Sequence, residues 1–310
     1  MAEGARCAVV VNPTKLDEVD GALVRRRLVA AGLGEPLWLE TTEDDPGRAM
    51  TREAVEAGVE LVLAAGGDGT VRMVVAGLAG TDVVLGIVPA GTGNLLARNL
   101  ELPLDVGGAL EVALGGEERR VDTVVLTVDG GEPDRFAVMA GTGLDAMIMD
   151  GVDSRLKKFV GPAAYFLSAA KAVGKLPVPV RLTIDGKRHR RKAIITLIGN
   201  CGELTGDLEL IPGAQPDDGL LYLYVAFPAR PSHLVKALVR LVTRRPQKDD
   251  HVQVWSGREV EIRLEHEDAY EVDGDVEGNG TVLHAKVDPG SLRMRARPAH
   301  RSDAAPTNPS

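Results

Sequence analysis

The stretch that decides the fold is Ala64-Ala65-Gly66-Gly67-Asp68-Gly69-Thr70, which follows the apolar residues 61–63 and precedes another apolar run. This order predicts a strand that ends in a glycine-rich turn and leads into a helix. Glycines let backbone N–H groups approach an anion, and the Asp68 carboxylate can orient a magnesium ion or its water shell. The stretch therefore predicts a phosphate site, most simply for a nucleoside triphosphate, although a tight turn without a ligand would give the same pattern.

A second glycine-rich turn, Gly91-Thr92-Gly93-Asn94, ends the next predicted strand, so the two turns are expected to face each other across one cleft. The N-terminal half alternates short apolar strands with helices, which is typical of a parallel α/β sheet. Ligands bind at the carboxyl ends of the strands in such a sheet. The predicted strands are 8–12, 37–41, 61–65 and 83–88, and the predicted helices are 17–31, 46–57, 71–79 and 95–100.

Beyond about residue 121 the pattern changes to strands joined by turns, which predicts an antiparallel sandwich or barrel. The predicted strands are 122–128, 136–141, 180–184, 193–199, 220–226, 252–256, 260–264 and 281–287, with helical inserts at 154–175 and 231–244. The fold class is thus α/β plus β. We expect an α/β domain over 1–122, which a strand near 290–297 completes, a β-rich domain over 123–289, and a disordered tail over 298–310.

Paired carboxylates occur in the second half, in Glu271-Val272-Asp273-Gly274-Asp275. In a strand this spacing directs Asp273 and Asp275 to one face, where one can take a proton from a hydroxyl while the other steers metal or nucleotide. A plain Asp-Gly hairpin turn is the alternative. Pro216-Asp217-Asp218-Gly219 is likewise either a turn or a cation loop built from one carboxylate and nearby carbonyls.

Composition excludes several classes of protein. With 310 residues and 44% hydrophobic residues, the chain is expected to be an ordinary globular protein of two domains. Its longest apolar runs are too short to span a bilayer and no signal peptide is visible, so a cytoplasmic location is expected. The cysteines, Cys7 and Cys201, offer at most one bridge and are expected to be small buried residues.

The net charge of −9 hides an uneven distribution. Segment 154–192 carries eleven Lys or Arg residues and one acid, and segment 230–248 carries six basic residues and no acid. These basic segments predict contact with an anionic surface, either lipid or nucleic acid; a solvated strand edge and helix face is the alternative. Nucleic acid is disfavoured, because aromatic residues are only 3% of the chain and no zinc or RNA-binding motif is present.

Neither a P-loop nor a dinucleotide fingerprint is present, so the phosphate site must be of another kind. The motifs, taken in order, resemble the diacylglycerol kinase family of soluble bacterial lipid kinases, which is related to sphingosine kinases and more distantly to NAD kinases. The resemblance covers nearly the whole chain. Besides the glycine turns and carboxylate motifs, it rests on Asn12-Pro13-Thr14 and on the stretch 154–162.

The resemblance implies an ATP- and Mg²⁺-dependent kinase, with Asp273 as the general base for a lipid hydroxyl. The residues that it implies for ATP binding are Asn12, Pro13, Thr14, Thr42, Gly66, Gly67, Asp68, Gly69, Thr70, Thr92 and Asp275. Asp218, with the carbonyls of Gln215 and Leu220, would hold a magnesium ion. A membrane lipid would be the substrate, with the enzyme peripheral at the inner face of the membrane; a homodimer is compatible with this reading.

Two departures from the family pattern keep other functions open. Leu95 stands where the family usually has Asp, part of a carboxylate and water network around magnesium, and Asp275 stands where the family tends to have Glu. Lys15 and Leu16 also replace the Ser-Gly that commonly completes the first motif. The alternatives are an NAD kinase and a catalytically weak regulatory protein on the same fold that binds lipid or nucleotide.

Overall fold

The computed structural model of the chain describes residues 7–143, 177–203, 210–227 and 252–297. The predicted inserts at 154–175 and 231–244 and the predicted tail lie outside these residues. The helices of the described part are α1 (Glu18–Ala30), α2 (Arg48–Glu56), α3 (Asp68–Leu78), α4 (Leu95–Asn99) and α5 (Val106–Gly115). The strands are β1 (Cys7–Val11), β2 (Leu37–Glu40), β3 (Leu61–Gly66), β4 (Val84–Pro89), β5 (Glu117–Val128), β6 (Asp134–Phe136), β7 (Met139–Thr142), β8 (Val178–Ile184), β9 (Lys187–Ala193), β10 (Ile195–Gly199), β11 (Leu221–Ala226), β12 (Val252–Gly257), β13 (Glu259–Val272) and β14 (Asp275–Ala296).

The N-terminal half is a parallel sheet in the order β2-β1-β3-β4. Strands β1, β3 and β4 are short apolar runs buried on both faces, as parallel strands are when helices cover them, and the edge strand β2 is only partly buried. Helices α1 and α5 pack on one face of the sheet, and α2 and α3 pack on the other. The end of β14 runs parallel to β4, with Arg293 beside Val84, so the last described strand belongs to this sheet as well.

The second half is an antiparallel arrangement around the long hairpin β13–β14. Strands β7, β10, β11 and β12 follow β13 in that order on one side of the hairpin. Strand β8 pairs with another stretch of β13, β9 pairs with β8, and β5 pairs with β14. One apolar cluster of these strands includes Phe136, Leu182, Trp255 and Leu283, and a smaller one on β10 and β11 includes Leu197. The predicted class, a parallel α/β domain followed by an antiparallel sandwich-like domain, is confirmed.

Several predicted elements have the wrong bounds. Strands β13 and β14 are far longer than predicted, because their pairing resumes at Asp268 after an irregularity that follows Arg263, and it continues through Gly278 and Gly280. Helix α5 was not predicted, since Gly107 and Gly108 weaken its helical pattern. Its start is fixed by Asp105, whose side chain accepts a hydrogen bond from Gly108 N at 2.8 Å.

Both cysteines are buried and free, as expected. Burial raises the pKa of the Cys7 thiol to about 11, which removes it as a nucleophile at neutral pH. Among the helices of the described residues, none is both long enough and apolar enough to cross a bilayer.

Candidate functional site

The candidate site lies at the carboxyl ends of the parallel strands. Just beyond these ends, backbone bonds keep the chain in register: Asn12 N donates to Ala65 O at 2.9 Å, and Ala90 N donates to Gly66 O at 2.9 Å. The Asn12 side chain accepts hydrogen bonds from Thr14 N at 3.0 Å and Thr14 Oγ1 at 2.7 Å, which shapes the first motif into a turn. The first motif, Thr42 and both glycine turns therefore follow strand ends at one edge of the sheet.

Helix α3 begins at Asp68, three residues earlier than predicted. Asp68, Gly69 and Thr70 thus form the first helical turn rather than a loop. Gly67, at the N-cap, supplies no side chain to bond the first N–H groups, which lack partners inside the helix. Such an N-terminus binds anions through its N–H groups and the helix dipole.

The two glycine turns pack directly against each other. A Cβ atom on Gly91 would lie 2.7 Å from the Cα of Gly67, and a Cβ on Gly66 would lie 2.7 Å from the Thr70 side chain. Real side chains do not reach these distances, so each position needs glycine. The prediction that the two turns face each other is confirmed, but they are in direct contact and no cleft separates them.

Asp68 ties the second turn to the first. Its carboxylate accepts hydrogen bonds from Asn94 N at 2.9 Å and Leu95 N at 2.6 Å, and so caps helix α4. Asn94 has φ of 52°, and its side chain bonds both the N–H and the carbonyl of Gly91. Burial raises the pKa of Asp68, with a smaller contribution from Asp275, while the two N–H donors lower it.

Asp273 and Gly274 form the two-residue turn of the β13–β14 hairpin, with φ of 48° and 94°. Both values are positive, as a type I′ turn requires. The interpretation that Asp273 and Asp275 share one face of a strand is therefore wrong, and the hairpin alternative is right. The turn leaves Asp275 exposed, while Asp273 is buried at 5% exposure.

The Asp273 carboxylate lies in a cluster of backbone N–H groups. Oδ1 accepts from Val138 N at 3.0 Å and Met139 N at 2.9 Å, and Oδ2 accepts from Ala137 N at 3.2 Å. These donors explain why the predicted strand 136–141 is broken into β6 and β7: its backbone bonds are redirected to Asp273. Burial raises the pKa of Asp273 to about 6, although the N–H donors and the Arg72 charge act in the opposite direction.

This hairpin turn reaches the glycine turns of the N-terminal domain. A Cβ on Gly69 would lie 3.0 Å from Asp275 Oδ2, and a Cβ on Gly274 would lie 3.5 Å from the Leu95 side chain. The structure therefore brings together both glycine turns, Asp273 and Asp275 at the junction of the two domains.

Sequence reasoning missed the ion pairs that cross this junction. Arg72 of helix α3 is 5% exposed, and it donates to Asp134 of β6 at 3.0 Å and to Glu277 of β14. Arg48 of α2 donates to the same Asp134 at 2.9 Å. The sequence did contain a signal for these ion pairs. Arg72 is a charged residue within the otherwise apolar stretch 71–75, and a buried arginine requires ionic partners.

The predicted cation residues lie beside the buried Asp122. Asp218 accepts hydrogen bonds from Leu220 N at 2.9 Å, Gln215 N at 3.2 Å and the Tyr222 hydroxyl at 2.6 Å. Burial raises the pKa of Asp218, and the Tyr222 hydroxyl lowers it. Residues 7–143, 177–203, 210–227 and 252–297 contain no group of three metal-binding side chains.

A single carboxylate supported by backbone carbonyls is nevertheless a donor set that suits magnesium. Asp122 and Asp217 add negative charge beside Asp218, and the buried Asp122 carboxylate is held by Gly219 N at 2.6 Å and Gly290 N at 2.7 Å. The charge of these carboxylates would favour a cation, whereas the described hydrogen bonds of Asp218 come from N–H and O–H donors.

Comparisons with known proteins agree with this geometry. Residues 6–126 match the family described as "Diacylglycerol kinase catalytic domain", and residues 138–296 match the "YegS C-terminal NAD kinase beta sandwich-like domain". The chain is 36% identical over 241 residues to a Chromohalobacter salexigens protein named "Probable lipid kinase YegS-like", covering 76% of each. It is 31% identical over 259 residues to the protein of Mycobacterium tuberculosis named "Diacylglycerol kinase", covering 82% of each.

A solved structure shows the same fold. It is described as a diacylglycerol kinase from Bacillus anthracis strain Sterne, and it aligns with a TM-score of 0.77 at 22% identity over 96% of this chain and 99% of that chain. The two domain matches, in chain order, span the glycine turns and the Asp273 hairpin. The chain belongs to the diacylglycerol kinase and YegS-like family of lipid kinases.

Proposed function

We propose that this kinase transfers the γ-phosphoryl group of ATP to the hydroxyl of diacylglycerol or a similar membrane lipid, giving phosphatidic acid or an analogue. The observation that carries the proposal is the position of the buried Asp273 carboxylate, at the hairpin turn that contacts the glycine turns. A candidate base and a candidate phosphate site thus lie side by side at the domain junction.

ATP would bind at the carboxyl edge of the parallel sheet. The N–H groups of the first turn of α3 would receive phosphate oxygens, and Gly66, Gly67 and Gly69 would let them approach. The other residues proposed to contact ATP are Asn12, Pro13, Thr14, Thr42, Thr92 and Asp275. Asp275 is exposed beside Gly69, where it can reach the nucleotide directly or through water.

Asp273 would accept the proton of the lipid hydroxyl. Its Oδ2 accepts one described hydrogen bond, at 3.2 Å, and so retains capacity for the acceptor hydroxyl. The hydroxyl oxygen would form a bond to the γ-phosphorus as the bond to the ADP oxygen breaks, and the hydroxyl proton would pass to Asp273. A pKa near 6 leaves the base largely ionised at neutral pH, yet basic enough to take the proton.

Mg²⁺ bound with the nucleotide would neutralise charge on the transferred phosphoryl group. A second magnesium would bind Asp218 and the carbonyls of Gln215 and Leu220. Asp218 lies in the connection between β10 and β11, so this magnesium ion would stabilise the shape of the second domain.

The enzyme would act as a peripheral protein at the cytoplasmic face of the membrane, because its acceptor is a membrane lipid. The basic segments 154–192 and 230–248 would face the anionic leaflet. Of these, 154–176 and 230–248 lie outside the described residues, whereas 177–192 forms strands β8 and β9. No role for nucleic acid is proposed, and a homodimer remains a prediction.

One observation favours a second candidate, a catalytically weak regulator. Leu95 is 6% exposed and packs where the Asp273–Gly274 turn meets helix α4, so this position supplies no carboxylate. Both oxygens of Asp68 also serve as the cap of helix α4. A NAD kinase, the third candidate, has no comparable support in the geometry.

The test is the transfer of labelled phosphate from ATP to diacylglycerol, a sphingoid base and NAD in mixed micelles, with and without chelation of magnesium. Label in diacylglycerol that depends on magnesium supports the proposal. Label in NAD alone would indicate the dinucleotide kinase, and no label in any acceptor would indicate the regulator.

A further inference from the structure

Asn200 and Asp273 bind opposite edges of the same backbone segment. The side-chain Nδ2 of Asn200 donates to Ala137 O at 2.9 Å, and its backbone N donates to Val138 O at 2.8 Å. The N–H group that follows each carbonyl, Val138 N and Met139 N, donates to Asp273 Oδ1 at 3.0 and 2.9 Å. The segment is thus held from both sides, by Asn200 at its carbonyls and by Asp273 at its N–H groups.

These bonds are linked because a carbonyl and the N–H group after it belong to one planar peptide unit. Ala137 O is therefore fixed relative to Val138 N, and Val138 O relative to Met139 N. Turning either carbonyl away from Asn200 would turn the linked N–H group away from Asp273. Hydrogen bonds in such a chain also polarise one another, so a donor at the carbonyl strengthens the N–H bond to the carboxylate.

Few other contacts orient these two peptide units. Ala137 and Val138 lie between the end of β6 and the start of β7, and they pair with no strand of the described residues. Cys201 adds only longer contacts, from its N to Val138 O at 3.3 Å and from its Sγ to Ala137 O at 3.4 Å. The geometry of the Asp273 donors therefore depends mainly on Asn200.

Asn200 is itself firmly placed. It is fully buried, and its Nδ2 also donates to the carbonyl of Asp122 in β5 at 3.0 Å. Its Oδ1, in contrast, accepts no hydrogen bond from the parts of the chain that the structure describes. An unused buried acceptor lowers stability, so the N–H donors of this side chain explain the position better than stability alone.

We propose that Asn200 is a positioning residue for Asp273, because it orients the peptide units that bind the carboxylate. The inference rests on the proposed function, in which Asp273 takes the proton of the lipid hydroxyl. With Oδ1 held by two donors, Oδ2 is the oxygen left for that hydroxyl, since its described bond from Ala137 N is longer, at 3.2 Å. The competing explanation is that Asn200 only stabilises the fold.

The variant Asn200→Ala removes the side-chain amide and keeps the backbone bond to Val138 O. Phosphate transfer to short-chain diacylglycerol should show kcat reduced about tenfold or more, with the Kd for ATP near that of wild type. The N–H donors lower the pKa of Asp273 against the larger effect of burial, so loosening them should raise it. The acid limb of the kcat/KM profile should therefore move up by about 0.5–1 pH unit.

Thr196→Val is the matched control, because it removes a different buried hydrogen bond between the same two strands. Thr196 Oγ1 of β10 and Thr142 Oγ1 of β7 lie 2.8 Å apart, and neither residue bonds the segment that holds Asp273. This variant should lose stability, yet its acid limb should stay at the position of wild type. An equal shift in both variants, or no shift in Asn200→Ala, would overturn the proposal.

Two further measurements do not depend on catalysis. Amide hydrogen exchange at Val138 and Met139 should be about tenfold faster in Asn200→Ala and unchanged in Thr196→Val. In wild type, the side-chain amide resonances of Asn200 should titrate with a midpoint near pH 6, because the peptide unit transmits the ionisation of Asp273. This titration should vanish in Asp273→Asn. Its absence from wild type would contradict the proposal even if Asn200→Ala does not fold.

These results separate the positioning role from the proposed function. If wild type transfers phosphate to no acceptor, the proposed function fails, whereas hydrogen exchange and the amide titration still decide whether Asn200 holds the Asp273 segment. If transfer requires Asp273 but neither kcat nor the acid limb responds to Asn200→Ala, the proposed function stands and the positioning role fails. In an Asp273→Asn background, Asn200→Ala should change the residual rate little, since Asn200 acts through Asp273.

Discussion

Gly67 and Gly91 belong to different turns, yet a Cβ on Gly91 would come within 2.7 Å of the Gly67 Cα. Because that neighbour is backbone, Gly91→Ala should shift both turns, weaken ATP binding by tenfold or more and reduce the free energy of unfolding by about 1–3 kcal/mol. Nucleotide titration and thermal unfolding measure the two effects. Gly115→Ala is the control, since a Cβ there meets nothing within 4 Å, and it should bind ATP normally. Unchanged ATP affinity in Gly91→Ala would contradict the proposed phosphate site.

The Arg72–Glu277 pair joins helix α3 to strand β14 across the domain junction. Glu277→Gln should lower the free energy of unfolding by about 1–3 kcal/mol, because the buried guanidinium loses an ionic partner and keeps only Asp134. Chemical denaturation measures this change. Glu132→Gln, at an exposed position, should change stability by less than about 0.5 kcal/mol. Equal effects of the two substitutions would show that the pair contributes nothing specific.

The raised pKa of Asp273, about 6, predicts the pH dependence of activity. Only the ionised carboxylate can accept the hydroxyl proton, so kcat/KM should fall as the pH drops below about 6 and level off above it. A rate profile measured with short-chain diacylglycerol tests this expectation. A flat profile between pH 5 and pH 7, which is roughly one pH unit on either side of that pKa, would contradict this expectation.

The free energy of unfolding should also depend on the protonation of Asp273, but it should fall with rising pH where the activity rises. The folded state binds the Asp273 proton more tightly than the unfolded chain, whose aspartates have a pKa of about 3.9. The free energy of unfolding should therefore decrease as pH rises from about 4 to about 6. Denaturation across this range, compared between wild type and Asp273→Asn, isolates the contribution, because the asparagine does not titrate. Parallel curves for the two proteins would refute this assignment.

Asp218 provides the test of the proposed second magnesium. Magnesium should raise the midpoint of thermal unfolding of wild type but not of Asp218→Asn, since an amide is a weaker ligand than a carboxylate. Asp44→Asn, at an exposed position outside this region, should respond like wild type. An equal response in all three proteins would place the stabilising ion elsewhere.

The glycine turns could be predicted from the sequence because their signal is local. An apolar run followed by glycines indicates a strand end, and parallel strands place their carboxyl ends at one edge. The prediction that the two turns face each other follows from this reasoning, whereas the direct contact between Gly67 and Gly91 was not predicted. The start of α3 was predicted three residues too late. Gly67 and Gly69 are typical of a turn, and the first turn of the helix has no side-chain cap that would indicate its start.

Contacts between distant residues could not be predicted in this way. Asp273 breaks the strand 136–141 by binding the N–H groups of Ala137 to Met139, more than 130 residues earlier. Arg72 pairs with Glu277, which lies 205 residues later in the chain, and no spacing in the sequence indicates that pairing. Asp273 and Glu277 lie in or beside the β13–β14 turn, so both features depend on where that hairpin packs, which only the tertiary structure contains.

The role of Asp273 is tested most directly by the rate at which Asp273→Asn transfers phosphate to diacylglycerol. Asparagine keeps the shape of the side chain and can still accept from Val138 N and Met139 N, so the fold and ATP affinity should persist. We expect kcat to fall about 100- to 10,000-fold while the Kd for ATP changes little, since the general base alone is lost. Turnover close to that of wild type would contradict the assignment of Asp273 as the base.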